Sequence, residues 1–446
     1  MRRWYGEQVI LLTGMVKWLI ISVIIGVITG LSTAGFLALL EFSVERTARY
    51  RWYFLSLPLA LFIAKFLIHT CAREAEGYGT ETVIRAIHMH SGRMSIKVIP
   101  IKILATVITI ASGGSAGKWG PSVQVGSVLA SQAASIFRLN DEDMKRAVIC
   151  GISGAFAAVF GTPVAGAIFA VEVLFLGKIM YATVFPALIT AYISFEVASA
   201  AGMIYEQVLV QIPAGIDLLL YSKAVLAGIL FGFVALILIS AMKKSFSFFA
   251  ALSIYPPLKA AIGGLVVVAC ALIFSPMYIG LGSSAITGYL SGYIGEPHGF
   301  LVKIAATAVT LGSGGSGGIV TPIVFIGTSF GSFLGSILQE DTVLFAALGM
   351  VSVLSGAANT PIACIFFAAE LFGLAAAPLA AVSCVASYLV TGHRGVFTSQ
   401  VLALSKSPSL DVPYGVEIEE ADTKYKNREH TLAAYICRKM KNMQKN

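Results

Sequence analysis

The sequence predicts an all-α, polytopic membrane protein made of two inverted-topology repeats with broken, half-spanning helices. Of its 446 residues, 57% are hydrophobic and 12% charged, and the mean hydropathy is +0.84, far from the averages of soluble globular proteins. The composition, a series of long apolar stretches and an internal repeat support this prediction. Apolar stretches near the length of about 20 residues that a bilayer-crossing helix needs recur at Val9–Leu40, Trp52–His69, Ala224–Ile239, Ala260–Ile279, Phe345–Phe372 and Leu374–Val390.

The repeat is visible as two matching segments without a gap. KILATVITIASGGSAGKWGP, residues 102–121, aligns with KIAATAVTLGSGGSGGIVTP, residues 303–322, at an offset of 201 residues. Upstream, residues 77–80 match 280–283, and downstream 153–172 match 355–370 after a short gap. The repeat halves therefore span about 15–205 and 220–400. Membrane repeats of this kind are frequently inverted and place their site near the midplane, where broken helices meet.

Proline and threonine mark where the broken helices begin. The run from Pro121 to about Ser135 would be only about 22 Å long, shorter than the hydrocarbon core of about 30 Å, so this helix begins inside the membrane. Proline is favoured at the first helical position and threonine at the N-cap before it. This pattern predicts four helices that begin inside the membrane, at Pro121, Thr162-Pro163, Pro322 and Thr360-Pro361.

Helices that begin inside the membrane attract anions, because they present free N–H groups and the positive end of the helix dipole. No Asp or Glu occurs in residues 111–121, 151–163, 311–322 or 351–361, whereas a cation pathway normally displays carboxylates or rings of carbonyls. The only charge in these four stretches is Lys118. The pattern favours transport of a small anion. A cation or solute carrier on another inverted-repeat fold is the alternative that the residues leave open.

Metal, cofactor and enzyme chemistry have no visible place in the sequence. Its six cysteines show no C-x-x-C spacing, and its six histidines give no metal-ligand pair with a nearby carboxylate. Residues 113–119 resemble a phosphate-binding loop, but Ser112 and Trp119 stand at two positions that the motif does not allow. We expect no metal, no cofactor, no disulfide and no catalytic residue.

The carboxyl end is a basic tail, residues 412–446, after a transmembrane domain of residues 1–411. Lysine and arginine in this tail, and Arg2 and Arg3 before the first apolar stretch, predict that both termini are cytoplasmic in a multi-pass protein of the cell membrane. Only two tyrosines, Tyr425 and Tyr435, lie among these basic residues, too few for extensive stacking on nucleic-acid bases. Contact with the lipid bilayer is therefore favoured over nucleic-acid binding.

Four segments in order resemble the CLC family of chloride channels and transporters: Gly77-Tyr78-Gly79-Thr80-Glu81, Gly117-Lys118-Trp119-Gly120-Pro121, Gly318-Ile319-Val320-Thr321-Pro322 and Arg394-Gly395-Val396-Phe397. The likeness runs from the first helix to about Pro408. It implies a homodimer whose subunits each contain an anion pore, with the two halves of a subunit in opposite orientation. Chloride is the usual substrate in that family.

The resemblance also implies site residues. The anion sites fall on Tyr78, where many members have serine, on the backbone N–H groups of Ile319 and Val320, and on Phe397, usually tyrosine. In the segment Gly117-Lys118-Trp119-Gly120, the backbone of Gly117 and Gly120 is also predicted to line the anion pathway. Lys118 is a better candidate than Lys102 or Lys303 for electrostatic attraction of anions near a pore mouth.

Two departures from the family pattern concern mechanism. Trp119 stands at the position of the gating glutamate, and Val173 at that of the internal proton-transfer glutamate. Because a buried proton relay needs titratable groups, their loss favours passive, channel-like conduction; the alternative is a chloride/proton antiporter of the same family. The fluoride-selective branch ranks behind chloride, because its usual pore methionine and glutamate are absent. Trp119 is hypothesised to form an apolar constriction.

Two repeat-related pairs have other predicted roles. Glu172 and Glu370 occupy equivalent places, which favours a shared structural role, such as binding backbone groups, over proton transfer. Lys102 and Lys303 each open an apolar helix. Their ammonium groups are predicted either to reach the membrane interface or to attract anions.

Overall fold

Sixteen α-helices and four short strands form the part of the chain that the computed structural model describes, residues 2–205, 208, 210, 217–421 and 424–425. The helices of the first half are α1 (Arg2–Ala48), α2 (Leu57–Cys71), α3 (Thr80–Met89), α4 (Val98–Ala111), α5 (Trp119–Ile136), α6 (Asp141–Phe160), α7 (Pro163–Glu172) and α8 (Tyr181–Ala200).

The second half repeats this series. Its helices are α9 (Leu218–Ala251), α10 (Pro256–Ile273), α11 (Ser283–Leu290), α12 (Gly299–Gly312), α13 (Val320–Leu338), α14 (Thr342–Ala358), α15 (Pro361–Phe372) and α16 (Ala377–Val390). Two-residue strands follow: β1 (Phe175–Leu176) pairs in parallel with β2 (Val401–Leu402), and β3 (Leu410–Asp411) pairs antiparallel with β4 (Lys424–Tyr425).

The order and spacing of the helices confirm the predicted repeat. Helices α4, α5 and α6 begin at residues 98, 119 and 141, and α12, α13 and α14 begin at 299, 320 and 342, the same 201-residue offset as in the sequence. The stretch of residues 345–372 is not one span, because it breaks between α14 and α15. Asn359, at φ 58°, ends α14 in the left-handed conformation, as Gly161, at φ 70°, ends α6.

Equivalent residues of the two halves exchange equivalent hydrogen bonds. The hydroxyl of Thr106 lies 3.0 Å from that of Ser316, and the hydroxyl of Thr307, the mate of Thr106, lies 2.9 Å from that of Ser115, the mate of Ser316. Such two-way exchange is the mark of a two-fold relation, as in a symmetric dimer. The halves are therefore related by a two-fold axis within one chain.

Helix length separates membrane-crossing from half-spanning elements. Among the described residues, six segments are long and apolar enough to cross a membrane: α1, α8, α9, α10, α13, and α2 together with the turn before it, Tyr53–Cys71. By contrast, α3 and α7 have 10 residues each and α11 has 8, about 12–15 Å at 1.5 Å per residue. Such helices reach only part of the way across a hydrocarbon core of about 30 Å. The sequence predicted a short helix of about 22 Å from Pro121, but α5 has 18 residues and is about 27 Å long.

The N-terminal caps differ between two groups of helices. The Asn140 side chain accepts a hydrogen bond from Asp143 N (2.8 Å) at the start of α6, and Asp341 caps α14 in the same way. Helices α5, α7, α13 and α15 have no cap from their own N-cap side chain. Thr162 and Thr360 stand at the predicted N-cap positions of α7 and α15, but their side chains make no capping hydrogen bond.

The predicted proline starts are right for two of four helices. Pro163 and Pro361 are the first residues of α7 and α15. Helices α5 and α13 begin two residues earlier than predicted, which places Pro121 and Pro322 at the third position. Proline fits there because the first-turn N–H groups of a helix have no intrahelical acceptor.

The lysines of the repeat do not reach the membrane interface. Lys102 and Lys303 are completely buried, and each ammonium group donates to carbonyls of the loop before a short helix: Lys102 to Gly77 (2.6 Å) and Lys303 to Gly280 (2.7 Å). The expectation of snorkelling was wrong, because these loop carbonyls offer the buried ammonium groups acceptors that lie closer than the interface.

Candidate anion site

Three chain segments meet through their backbones at the predicted site. A Cβ placed on Gly120, at the start of α5, would lie 2.2 Å from the Tyr78 carbonyl oxygen and 2.8 Å from the Gly318 Cα atom. A Cβ on Gly79 would lie 2.2 Å from the Gly120 carbonyl oxygen. Only glycine permits this approach. The starts of α3, α5 and α13 therefore converge at one point.

A pair of hydrogen bonds fixes the two repeat-related segments to each other. Gly117 N donates to Gly318 O, and Gly318 N donates to Gly117 O, both at 2.7 Å. The N–H group of Gly117 is thus already occupied. Gly117, predicted as part of the anion pathway, holds the two segments in place and does not offer a free donor.

The N-termini of α5 and α13 carry the unoccupied donors. The first helical hydrogen bonds come from Ser122 N to Lys118 O (3.3 Å) and from Ile323 N to Ile319 O (3.1 Å). Within the described chain, the backbone N–H groups of Gly120, Ile319 and Val320 have no acceptor. A buried helix N-terminus with free N–H groups binds anions readily. The geometry therefore supports the predicted backbone donors.

Aromatic side chains enclose the same region. Phe397 is completely buried and Tyr78 is 7% exposed, and their ring centroids lie 6.3 Å apart. The Tyr78 hydroxyl donates to the Val396 carbonyl oxygen at 2.5 Å. Its proton is therefore committed to the backbone and does not replace the phenol that the family has at the position of Phe397. The large ring narrows the region instead.

Tyr78→Phe is expected to lower the free energy of unfolding by about 1 kcal/mol, the usual value of one hydrogen bond. Anion affinity should change by less than about twofold, because the hydroxyl donates to Val396 and not to the anion. Thermal unfolding and halide titration of the purified protein measure the two quantities. A large loss of affinity would mean that the hydroxyl turns to the anion.

Trp119, at the gate position, is completely buried among aromatic rings. Its ring centroid lies 5.1 Å from Phe169 and 5.6 Å from Phe156, both at near-perpendicular angles, and 6.5 Å from Phe397. Such edge-to-face contacts stabilise aromatic clusters. The indole therefore packs into the protein beside the three helix starts.

The two repeat-related glutamates cap helices of the opposite half. Glu172, the last residue of α7, accepts hydrogen bonds from Ile362 N (3.1 Å) and Ala363 N (2.8 Å) in the first turn of α15. Glu370, in α15, accepts from Val164 N (3.0 Å) and Ala165 N (2.8 Å) in α7. The prediction of a shared structural role is confirmed. These carboxylates supply the caps that the threonines do not.

Val173, at the proton-transfer position, is completely buried and carries no titratable group. Its carbonyl oxygen accepts a hydrogen bond from the Gln400 side chain (2.7 Å), which also donates to Ala358 O (2.8 Å). Gln400 is likewise completely buried. A neutral amide therefore joins the ends of α7 and α14.

The positive charges near the site differ in their neutralisation. Lys118 Nζ lies 3.6 Å from Glu41 Oε1 in α1, so part of its charge is compensated. Lys102 donates to Gly77 O and to Ala75 O (3.1 Å), directly before Tyr78, and no carboxylate among the described residues lies within ion-pairing distance of it. Glu76 nevertheless acts on Lys102 electrostatically, so its charge is partly compensated as well.

Lys102→Met is expected to weaken anion binding about fivefold or more. At an effective dielectric constant of about 20, a unit charge roughly 10 Å from an anion contributes about 1.7 kcal/mol. Lys102→Arg is the matched control, since it keeps the positive charge at the same position. The control should stay within about twofold in a halide titration; an equal loss in both variants would assign the effect to stability.

Sequence reasoning missed the residues that hold Phe397 in place. Glu81 Oε1 accepts hydrogen bonds from Ser399 N (2.9 Å), Ser399 Oγ (2.6 Å) and Thr398 Oγ1 (3.1 Å). These bonds join the helix that follows Tyr78 to the loop that contains Phe397. Glu81 has no acidic mate in the second half, where Ser284 stands, so the repeat gave no signal for it.

Two-fold related halves, and uncapped helix N-termini that meet in acid-free segments, define a membrane protein that transports anions. Comparison with known proteins agrees. The family model described as voltage gated chloride channel matches residues 59–392. The chain belongs to this family, the CLC family, whose members transport ions and are not enzymes.

Several relatives show how far the similarity extends. A chloride/fluoride channel protein of Pseudomonas syringae pv. tomato is 35% identical over 407 residues, covering 90% of each chain. A voltage-gated ClC-type chloride channel, ClcB, of Escherichia coli is 29% identical over 287 residues, 61% of this chain and 67% of the relative.

Solved structures confirm the fold class. The crystal structure of a CLC-type fluoride/proton antiporter superposes with a TM-score of 0.83 at 26% identity, covering 87% of this chain and 98% of that one. A slow cyanobacterial Cl⁻/H⁺ antiporter superposes with a TM-score of 0.72 at 18% identity, covering 84% and 94%. The predicted all-α, inverted-repeat membrane fold is therefore correct.

Proposed function

We propose that this chain conducts chloride passively across the cell membrane, without coupling to protons. The observation that carries the proposal is the meeting of α5 and α13 at N-termini whose N–H groups at Gly120, Ile319 and Val320 are unoccupied within the described chain. The dipoles of both helices favour a negative ion at this point. Lys102 adds a positive charge near the first of the converging segments.

The absence of proton coupling is proposed from the side chains at the two positions where the family places its proton-transfer glutamates. Trp119 and Val173 cannot carry a proton at ordinary pH. Glu172 lies next to Val173, but both of its oxygens bind backbone N–H groups of α15. A proton path through buried protein needs titratable groups. Conduction driven only by the anion gradient and the membrane potential fits this arrangement.

The test is the reversal potential of purified protein in liposomes. We expect it to follow the chloride gradient and to stay constant when a pH gradient is imposed at fixed chloride. A shift with the pH gradient would instead establish proton-coupled exchange. In that case Glu172→Gln identifies the coupling residue if it abolishes the shift.

Fluoride is the second candidate ion. It is favoured by the chloride/fluoride channel protein of Pseudomonas syringae pv. tomato, 35% identical to this chain, and by the superposition on a CLC-type fluoride/proton antiporter. Backbone N–H donors bind either halide.

Parallel efflux measurements with ion-selective electrodes separate the two ions. Liposomes loaded with equal chloride and fluoride should release chloride first if chloride is the physiological substrate. Faster and saturating fluoride release, with little chloride flux, would assign the chain to fluoride. Protein-free liposomes provide the background leak.

The homodimer implied by the family is part of the same proposal, with both termini in the cytoplasm. The basic tail after residue 411 lies largely outside the described residues, although Val412 and Ile418 pack with Leu176 and Leu402. Single-molecule photobleaching in bilayers should give two subunits per complex. Labelling of Cys437 in oriented membranes should occur only from the cytoplasmic side.

A further inference from the structure

The indole N–H of Trp119 is an unused donor at the centre of the site. The side chain is completely buried, and its Nε1 atom has no hydrogen-bond partner within the described chain. A buried tryptophan N–H normally finds an acceptor, because an unpaired buried donor is unfavourable. Each such group in a folded protein therefore calls for an explanation.

The position of this donor connects it to the anion. Trp119 is the first residue of α5, directly before Gly120, whose Cα atom packs against the Tyr78 carbonyl and Gly318. Within the described chain, the backbone N–H groups of Gly120 and of Val320 at the start of α13 have no acceptor either. Side-chain and backbone donors of the same helix start are therefore unoccupied together.

Two hydroxyl groups at the other helix starts share this property. Thr80, the first residue of α3, and Thr321, the second residue of α13, are buried, and their Oγ1 atoms have no partner within the described chain. Unpaired side-chain atoms also occur elsewhere in the helices. Here, however, each of the three helices that converge at one point has an unpaired hydroxyl or indole group within its first two residues.

We propose that Trp119 Nε1–H is a ligand of the transported anion, an uncharged donor that takes the place of the phenol missing at Phe397. This inference rests on the proposed anion conduction. A carboxylate at this position competes with the anion when it is ionised, whereas an indole stays neutral and donates at every ordinary pH. The rings of Phe156 and Phe169 hold the indole at its edge and face, which fixes the direction of its N–H bond.

The first test replaces the donor and keeps an aromatic ring. Trp119→Phe should weaken chloride and fluoride binding by about tenfold to a hundredfold in calorimetric titration of the purified protein, the range for one hydrogen bond to a charged group. Trp18→Phe, at another buried tryptophan in α1, should leave the affinity unchanged. Unaltered affinity in Trp119→Phe would overturn the proposal.

The second test needs no stable variant and has a readout that a merely structural indole would not move. In protein labelled with ¹⁵N-tryptophan, the Nε1–H resonance of Trp119 should shift saturably with halide, with the same midpoint as the calorimetric binding. The spectrum of Trp119→Phe, or selective labelling if that variant does not fold, assigns the resonance. A resonance that stays fixed while the protein binds halide would refute the inference alone.

Two further outcomes decide the remaining explanations. If Trp119→Ala raises flux while Trp119→Phe binds halide as tightly as the wild type, the ring is a steric gate and the ligand proposal is wrong. If the wild-type protein binds no halide at all, the proposed anion conduction fails, and the ligand role fails with it.

Discussion

Gly120→Ala should remove most anion flux. The new Cβ would lie 2.2 Å from the Tyr78 carbonyl oxygen and 2.8 Å from the Gly318 Cα atom, far inside any real carbon contact. Both obstacles are backbone, so no side chain can turn aside to make room. The start of α5 must move away from α3 and α13, which separates the N–H donors from their common point.

The expected size follows from the donors that are displaced. Loss of one hydrogen bond to an anion costs about 1.5–3 kcal/mol, so anion affinity should fall about tenfold or more. Overpacking in a tightly packed interior typically costs a further 1–3 kcal/mol of folding free energy. Flux assays and thermal unfolding in detergent measure the two effects.

Gly35→Ala is the matched control for this change. Gly35 lies in α1, and a Cβ there would meet no atom within 4 Å. Alanine is the better helix former by about 1 kcal/mol, so this variant should be as stable as the wild type or slightly more so. Wild-type flux in Gly120→Ala would show that the convergence of the three segments is not the anion pathway.

Glu172→Ala should destabilise the protein by about 3–5 kcal/mol. Glu172 accepts two hydrogen bonds from first-turn N–H groups of α15, and each hydrogen bond to a charged group is worth about 1.5–3 kcal/mol. The substitution also leaves two buried N–H groups without an acceptor. Glu7→Ala, at an exposed acid near the start of α1, should change the melting temperature very little.

The equivalent substitution in the second half completes a thermodynamic cycle. Glu370→Ala should cost a similar free energy, because its carboxylate caps α7 with the same geometry. The double variant should lose less than the sum, since both caps join the same pair of helices. Additive losses would mean that each carboxylate acts on its own helix, independently of its mate.

The repeat allowed much of this fold to be predicted from sequence. Identical and similar residues recur at an offset of 201 positions, and this recurrence can be read from the sequence alone. It predicted the two halves and the pairs of equivalent segments. Pro163 and Pro361 marked helix starts correctly because proline restricts its own φ angle, which is a local effect. The resemblance to known anion pathways added the residues at which the segments meet.

Contacts between distant residues could not be predicted in the same way. Thr162 and Thr360 have the residue type of an N-cap, but carboxylates about 200 residues away occupy the N–H groups of those helices. Lys102 stands at the start of an apolar helix, as a snorkelling lysine does, but its ammonium group donates to carbonyls of a preceding loop instead. The bonds of Glu81 to Ser399 join residues 318 positions apart, and nothing near Glu81 in the sequence signals a partner there.

The exchange of caps between α7 and α15 also bears on how the chain is made. During synthesis the first half leaves the ribosome well before Glu370. The first-turn N–H groups of α7 therefore lack this acceptor until nearly the whole membrane region has been made. Glu172 in turn waits for Ile362 and Ala363. Neither half can therefore cap its own short helix, and this part of the structure forms late in synthesis. A chain truncated before residue 361 should be recognised as unfinished and degraded.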